Sequence, residues 1–168
     1  RDNTNSPTQG FRALVQGGPW VEFDAPDSPV FGTMKFELSQ YIPTKPLVIA
    51  MNGGGRFSWG APSIYQSSLS NFRAYTVGEQ FKENMLFFQS ELRIPFGKTR
   101  FGASGFGGIA TLFDDANDLG SKSNYYPMGG AGLWMWLSEK QKMPLRVEYA
   151  NGIQGARGFY IAMGQSFR

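Results

Sequence analysis

The side chains best placed to do chemistry in this sequence are charged residues two positions apart. Glu91 and Arg93, Arg146 and Glu148, and Lys35 and Glu37 each alternate along short segments, and Arg73 sits between Phe72 and Tyr75 in a long connecting stretch. A guanidinium held beside carboxylates makes short, charge-assisted hydrogen bonds, which is binding chemistry rather than covalent chemistry. Neither Cys nor His occurs. Their absence removes Ser-His and Cys-His nucleophiles, an imidazole base, Cys or His metal sites and disulfides. The expectation is a protein that is not an enzyme, with no catalytic residue, no metal site and no cofactor.

Three short patterns imitate ligand sites and fail on their context. Asp114, Asp115 and Asp118 cluster in a polar stretch, but their spacing is not that of a calcium loop, so a solvated turn is expected. Gly105 to Ala110 fits G-x-G-x-x-A, yet it lies inside a strand-like segment and opens no helix. Gly97-Lys98-Thr99 ends like a phosphate loop, but position 92 is Leu where that loop needs Gly.

The elements that must position these charges are strands. Around Leu47 the odd positions read Leu47, Ile49, Met51, Gly53, Gly55, Phe57 and Trp59, while the even ones become polar through Asn52, Arg56 and Ser58. Such alternation has the period of a half-buried strand. It recurs at Met34, Phe36 and Leu38 against Lys35, Glu37 and Ser39, and at Phe88, Ser90, Leu92, Ile94 and Phe96 against Phe87, Gln89, Glu91 and Arg93. It recurs again at Leu145, Val147 and Tyr149, and at Phe159, Ile161 and Met163. The pattern predicts about eight strands: 10 to 23, 29 to 41, 46 to 59, 84 to 96, 99 to 113, 125 to 138, 143 to 151 and 157 to 167. Short connections at 42 to 46, 97 to 98 and 138 to 143 alternate with long ones at 60 to 84 and 114 to 124. Tight turns at one end and long loops at the other are the pattern of an outer-membrane barrel.

Composition agrees with that reading. In 168 residues there are 22 Gly, 15 Phe, 7 Tyr and 4 Trp, and only 17% of residues are charged. No apolar run is long enough for a spanning helix. The net charge of +3 comes from scattered Lys and Arg, so no nucleic-acid footprint is indicated. The first residues lack an initiator Met and an apolar leader core, and the expectation is that something preceded them. A soluble sandwich or lipocalin-like barrel would also show period two, with its apolar face inward. Mid-strand charges on the polar face, aromatics crowded at strand ends (Trp20, Phe23, Tyr41, Phe57, Trp59, Phe96, Phe113, Tyr125, Tyr126, Phe167) and glycines within strands favour a membrane wall. On the polar face, Asn52 is expected to accept a charge more readily than Met51 on the apolar one.

The residues also resemble a known family. Asp2-Asn3 followed by Pro7-Thr8-Gln9-Gly10, then Asn71-Phe72-Arg73-Ala74-Tyr75 with Gly78, then Gln89-Ser90-Glu91-Leu92-Arg93-Ile94-Pro95-Phe96, the segment Phe106 to Asp115 and the closing segment Phe159 to Phe167 keep the order of motifs in the bacterial surface antigen family. That family comprises the outer-membrane assembly and translocation barrels of the BamA/TamA type, and the chain resembles the C-terminal half of one. Ala74 stands where the family's loop motif has Gly, and Gly108 where it has an Asp facing the lumen.

The resemblance implies an all-β, antiparallel transmembrane β-barrel in one domain, with this chain supplying half of a 16-stranded family barrel and a long loop over 60 to 84. It implies a location in a bacterial or organelle outer membrane and a role in inserting or transporting proteins. Partners would be outer-membrane lipid, other barrel proteins, periplasmic accessory proteins, and the missing barrel half, upstream or in a second copy. The alternative is a small structural or pore-forming barrel without insertase activity. By the family analogy, the loop motif Arg73, Ala74 and Tyr75 folds into the lumen, where Arg73 meets Glu91 or Glu148 with Arg93 alongside. The closing strand carries Phe159, Ile161, Met163 and Phe167 on one apolar face.

Overall fold

The computed structural model describes residues 2–3, 5–21, 30–60, 67–69, 72–75 and 81–164. Phe23, Asn71, Gly78 and Phe167, all used in the sequence reading, lie outside the described residues. The described residues form ten strands: β1 (Gly10–Val21), β2 (Val30–Thr44), β3 (Leu47–Trp59), β4 (Ser67–Ser68), β5 (Phe81–Lys82), β6 (Asn84–Pro95), β7 (Phe101–Phe113), β8 (Tyr125–Ser138), β9 (Met143–Gly152) and β10 (Arg157–Met163). Eight of them form one antiparallel sheet in the order β1-β2-β3-β6-β7-β8-β9-β10, with β1 and β10 at its edges. The other two, β4 and β5, pair as a two-residue ladder within the connection expected to be plain loop. β2 runs three residues past its expected end, because Pro43 pairs with Val48 and only Lys45–Pro46 makes the turn. The connection from β7 to β8 carries two 3-10 turns, Ala116–Gly120 and Lys122–Asn124.

Register fixes which side chains share a face. Pairings Ala50↔Glu91, Glu91↔Phe106, Phe106↔Gly130 and Gly130↔Ala150 put these residues in one row across five strands. Alternation about that row sends Arg12, Lys35, Glu37, Arg56, Glu91, Arg93, Arg146 and Glu148 to one face, called inner. The opposite face carries Val15, Met34, Leu38, Met51, Phe88, Ile109, Leu133, Val147 and Ile161. Among the eight long strands its only charge is Arg157, at the end of β10. The outer face is open, with Val15 at 74% and Ile161 at 68% exposure.

The inner face is filled from two ends. From the long-loop end, Leu69, Phe72 and Ala74 pack on Met85, Phe106, Ala110, Leu112, Tyr126, Met128 and Ala150 in one buried cluster. From the tight-turn end, the segment before β1 crosses under the sheet: Asn5 Nδ2 donates to the carbonyl of Gln141 at 3.0 Å, and Arg93 Nη1 to that of Pro7 at 3.0 Å. The face must be strongly concave. In a flat sheet β6 and β9, three strand spacings apart, would be separated by roughly 14 Å. Yet Arg146 Nη1 on β9 comes within 3.7 Å of Glu91 Oε2 on β6.

Candidate functional site

Where the two fillings meet, the inner face holds a buried ionic cluster. Glu91 and Arg93 are two residues apart on β6, and Arg146 and Glu148 two apart on β9, so each pair projects to the same side. Of the two strands between them, β8 makes room through Gly132, where an added Cβ would meet Glu148 Cγ at 2.6 Å. Arg73 enters from the loop. Its Nη2 donates to Glu91 Oε2 at 2.7 Å and its Nη1 lies 3.2 Å from Glu148 Oε2, so one guanidinium joins β6 to β9. The same guanidinium lies over the Phe106 ring, 3.8 Å from its centroid. Arg93 Nε donates to the other Glu91 oxygen at 2.7 Å, and Arg146 Nη1 lies 3.2 Å from Glu148 Oε1. The Arg73 side chain is 11% exposed and the two carboxylates 1% and 2%. Burying five charges carries a desolvation penalty of several kcal/mol per ion, offset only because each carboxylate is held by more than one guanidinium.

The backbone of the loop is fixed as firmly as its arginine. The Ala74 N–H donates to the Tyr160 hydroxyl on β10 at 2.8 Å. The Tyr75 hydroxyl donates to the Pro127 carbonyl at 2.6 Å and accepts the Ile153 N–H at 3.2 Å. Burial raises the Tyr75 phenol above its ordinary pKa, the Ile153 hydrogen bond opposing, so it keeps the proton it donates. Ala74 has φ of +78°, a left-handed conformation that L residues adopt at a cost. Residue 74 thus takes a conformation that favours glycine without being glycine.

The structure thus brings Arg73, Glu91, Arg93 and Glu148 into one cluster, with Ala74 and Tyr75 anchoring the loop beside it. It does not bring Phe159, Ile161 and Met163 there; these lie on the outer face of β10, each more than half exposed. Gly108 takes no part, since a side chain there would meet Gln89 Cβ at 2.7 Å. Lys35 and Glu37 pair separately at 2.9 Å beside Asn52, whose amide donates to Glu37 and Ser39. Asn52 is therefore no tolerant polar position: it is 2% exposed and also accepts from Gln89. Sequence reasoning misses Phe106, Tyr160 and the Pro7 carbonyl, because nothing in an alternating apolar strand marks which aromatic will receive a loop. Asp114 binds Lys82 and the Glu83 N–H, and the Asp118 carboxylate accepts the N–H groups of Asp114 and Asp115. Among the described residues no group of three or more metal-ligating side chains forms.

The chain matches no family model and no curated protein.

Proposed function

We propose that this chain is the C-terminal half of an outer-membrane β-barrel of the BamA/TamA type, acting in the insertion or transport of proteins into or across the outer membrane. The observation that carries the reading is the loop arginine: Arg73 reaches back over the sheet to two buried carboxylates, Glu91 and Glu148, on strands β6 and β9, in line with the inward-folded loop that the family resemblance implies. An outer face that is apolar apart from Arg157, at the end of β10, supports a lipid-facing wall. Among the described residues the sheet ends at β1 and β10, which supports completion by further strands, because backbone groups at an open edge cannot remain unsatisfied in lipid.

The test is insertion itself. The intact parent protein in liposomes should speed the folding of an added, unfolded outer-membrane porin well above the rate in empty liposomes, and Arg73→Ala should remove that gain. Equal folding rates with and without the protein would refute the assembly role. In that event a folded, heat-resistant barrel would favour the second reading, a structural barrel, which the filling of the inner face by Phe72, Leu69 and the segment before β1 supports.

A further inference from the structure

We propose that the inner face of β1 to β3 is a docking surface for an extended, acidic polypeptide segment. On these three strands the cations Arg12, Lys35 and Arg56 share the inner face with one carboxylate, Glu37. Lys35 takes Glu37 at 2.9 Å, and the Asn52 amide donates to the same carboxylate at 3.1 Å. Among the described residues Arg12 and Arg56 make no ion pair and no hydrogen bond, although both are half-buried. Register also sets Lys35 directly opposite Arg56, and like charges so placed destabilise a sheet. Elsewhere on this face Arg73, Arg93 and Arg146 each meet a glutamate. Arg12 and Arg56 have no such neighbour within the sheet, so carboxylates that satisfy them must come from outside it.

Access and spread select the occupant. The Lys35 side chain is 26% exposed, Gln16 is exposed, and a Cβ added at Gly18 would meet no described atom within 4 Å. This part of the inner face is open, whereas Leu69 and Phe72 fill the part over β6 to β9. Arg12 lies level with Ser39 and Asn52, and Arg56 stands four residues farther along β3. Their Cα positions are therefore roughly 16 Å apart. A single small anion reaches one end of that stretch. An extended chain with carboxylates on alternate residues turns them to one side and reaches both ends. The surface rests on this face alone and holds with or without the proposed assembly role.

Fluorescence anisotropy of the intact parent protein, folded in non-ionic detergent at low salt, tests this with labelled Glu-Ser and Gln-Ser repeat peptides of equal length. The Glu-Ser peptide should bind about tenfold more tightly than the Gln-Ser peptide, as expected for hydrogen bonds to charged groups. Arg12→Gln and Arg56→Gln should each weaken it by about three- to tenfold, while Arg157→Gln, on the outer face, should leave it unchanged. Equal binding of the two peptides, undiminished binding to both inner-face variants, or an equal loss with Arg157→Gln would each overturn the proposal. Tighter binding of tripolyphosphate than of the Glu-Ser peptide would overturn it in favour of a phosphate site. No binding of either peptide would also overturn it, showing that the rest of the parent barrel already supplies the carboxylates. Should one inner-face variant fail to fold, the other and the peptide comparison decide it.

Discussion

Two residues carry the account at the finest scale. Arg73 holds two carboxylates that are almost wholly buried, so its truncation leaves them without their bridging cation. Arg73→Ala should lower stability by about 3 to 5 kcal/mol, the usual cost of breaking a buried ion pair from one side. An exposed arginine would cost under about 1 kcal/mol, and a thermal unfolding midpoint unchanged by the substitution would show that the pairing contributes nothing. Arg73→Lys should recover only part of the loss, because one ammonium cannot reproduce the planar fork that reaches both strands. Ala74 pays for its positive φ, so Ala74→Gly should raise stability, by at most about 1 kcal/mol once the added backbone freedom of the unfolded chain is subtracted. A drop in the unfolding midpoint would mean that its methyl packing in the cluster around Phe72 outweighs the strain.

At the scale of elements, the strands are legible in the sequence and their curvature is not. Alternation of Leu47 to Trp59 or Phe88 to Phe96 states which face each residue takes, and the register in the structure follows it. Contacts across the concavity, such as Arg146 to Glu91 or Arg73 over Phe106, depend on how far the sheet curls, which period two does not encode. Asn52 illustrates the gap: the pattern marks it as polar, but only the neighbouring strands reveal that Glu37, Ser39 and Gln89 surround it. On the outer face the pattern suffices for a prediction. Met51→Arg or Ile161→Arg should cost about 2 to 4 kcal/mol at bilayer mid-depth, read as loss of the heat-resistant folded band on gels; normal folding of both would argue against lipid contact. The segment before β1 is held differently. Although partial burial raises the Asp2 pKa, the Thr8 hydroxyl and the Thr8 and Gln9 amides donate to its carboxylate and Lys142 attracts it, so the net value falls from 3.8 to about 2. A depressed carboxylate stabilises the fold above its unfolded pKa and loses that contribution as pH falls through the folded value. The clasp should thus hold at pH 4 and above and release between about 3.8 and 2. The Thr8 amide resonance should titrate near the lower value, and a midpoint at the ordinary carboxylate pKa would contradict the clasp.

At the scale of the whole molecule, the sequence distributes its charge by face. Six cations (Arg12, Lys35, Arg56, Arg73, Arg93 and Arg146) and three carboxylates (Glu37, Glu91 and Glu148) gather on or over the inner face, while the outer face presents apolar side chains to its surroundings. In water such an outer face would be a large exposed apolar patch; in a bilayer it would be covered by lipid tails, as the proposed barrel requires. The direct measurement is paramagnetic accessibility of nitroxide labels placed singly at Met51, Phe88, Ile109, Leu133 and Ile161 in membranes. Lipid contact predicts frequent collision with dissolved oxygen and little with a water-soluble nickel chelate at all five positions. Strong collision with the nickel chelate at these positions would place the apolar face in water and contradict the account.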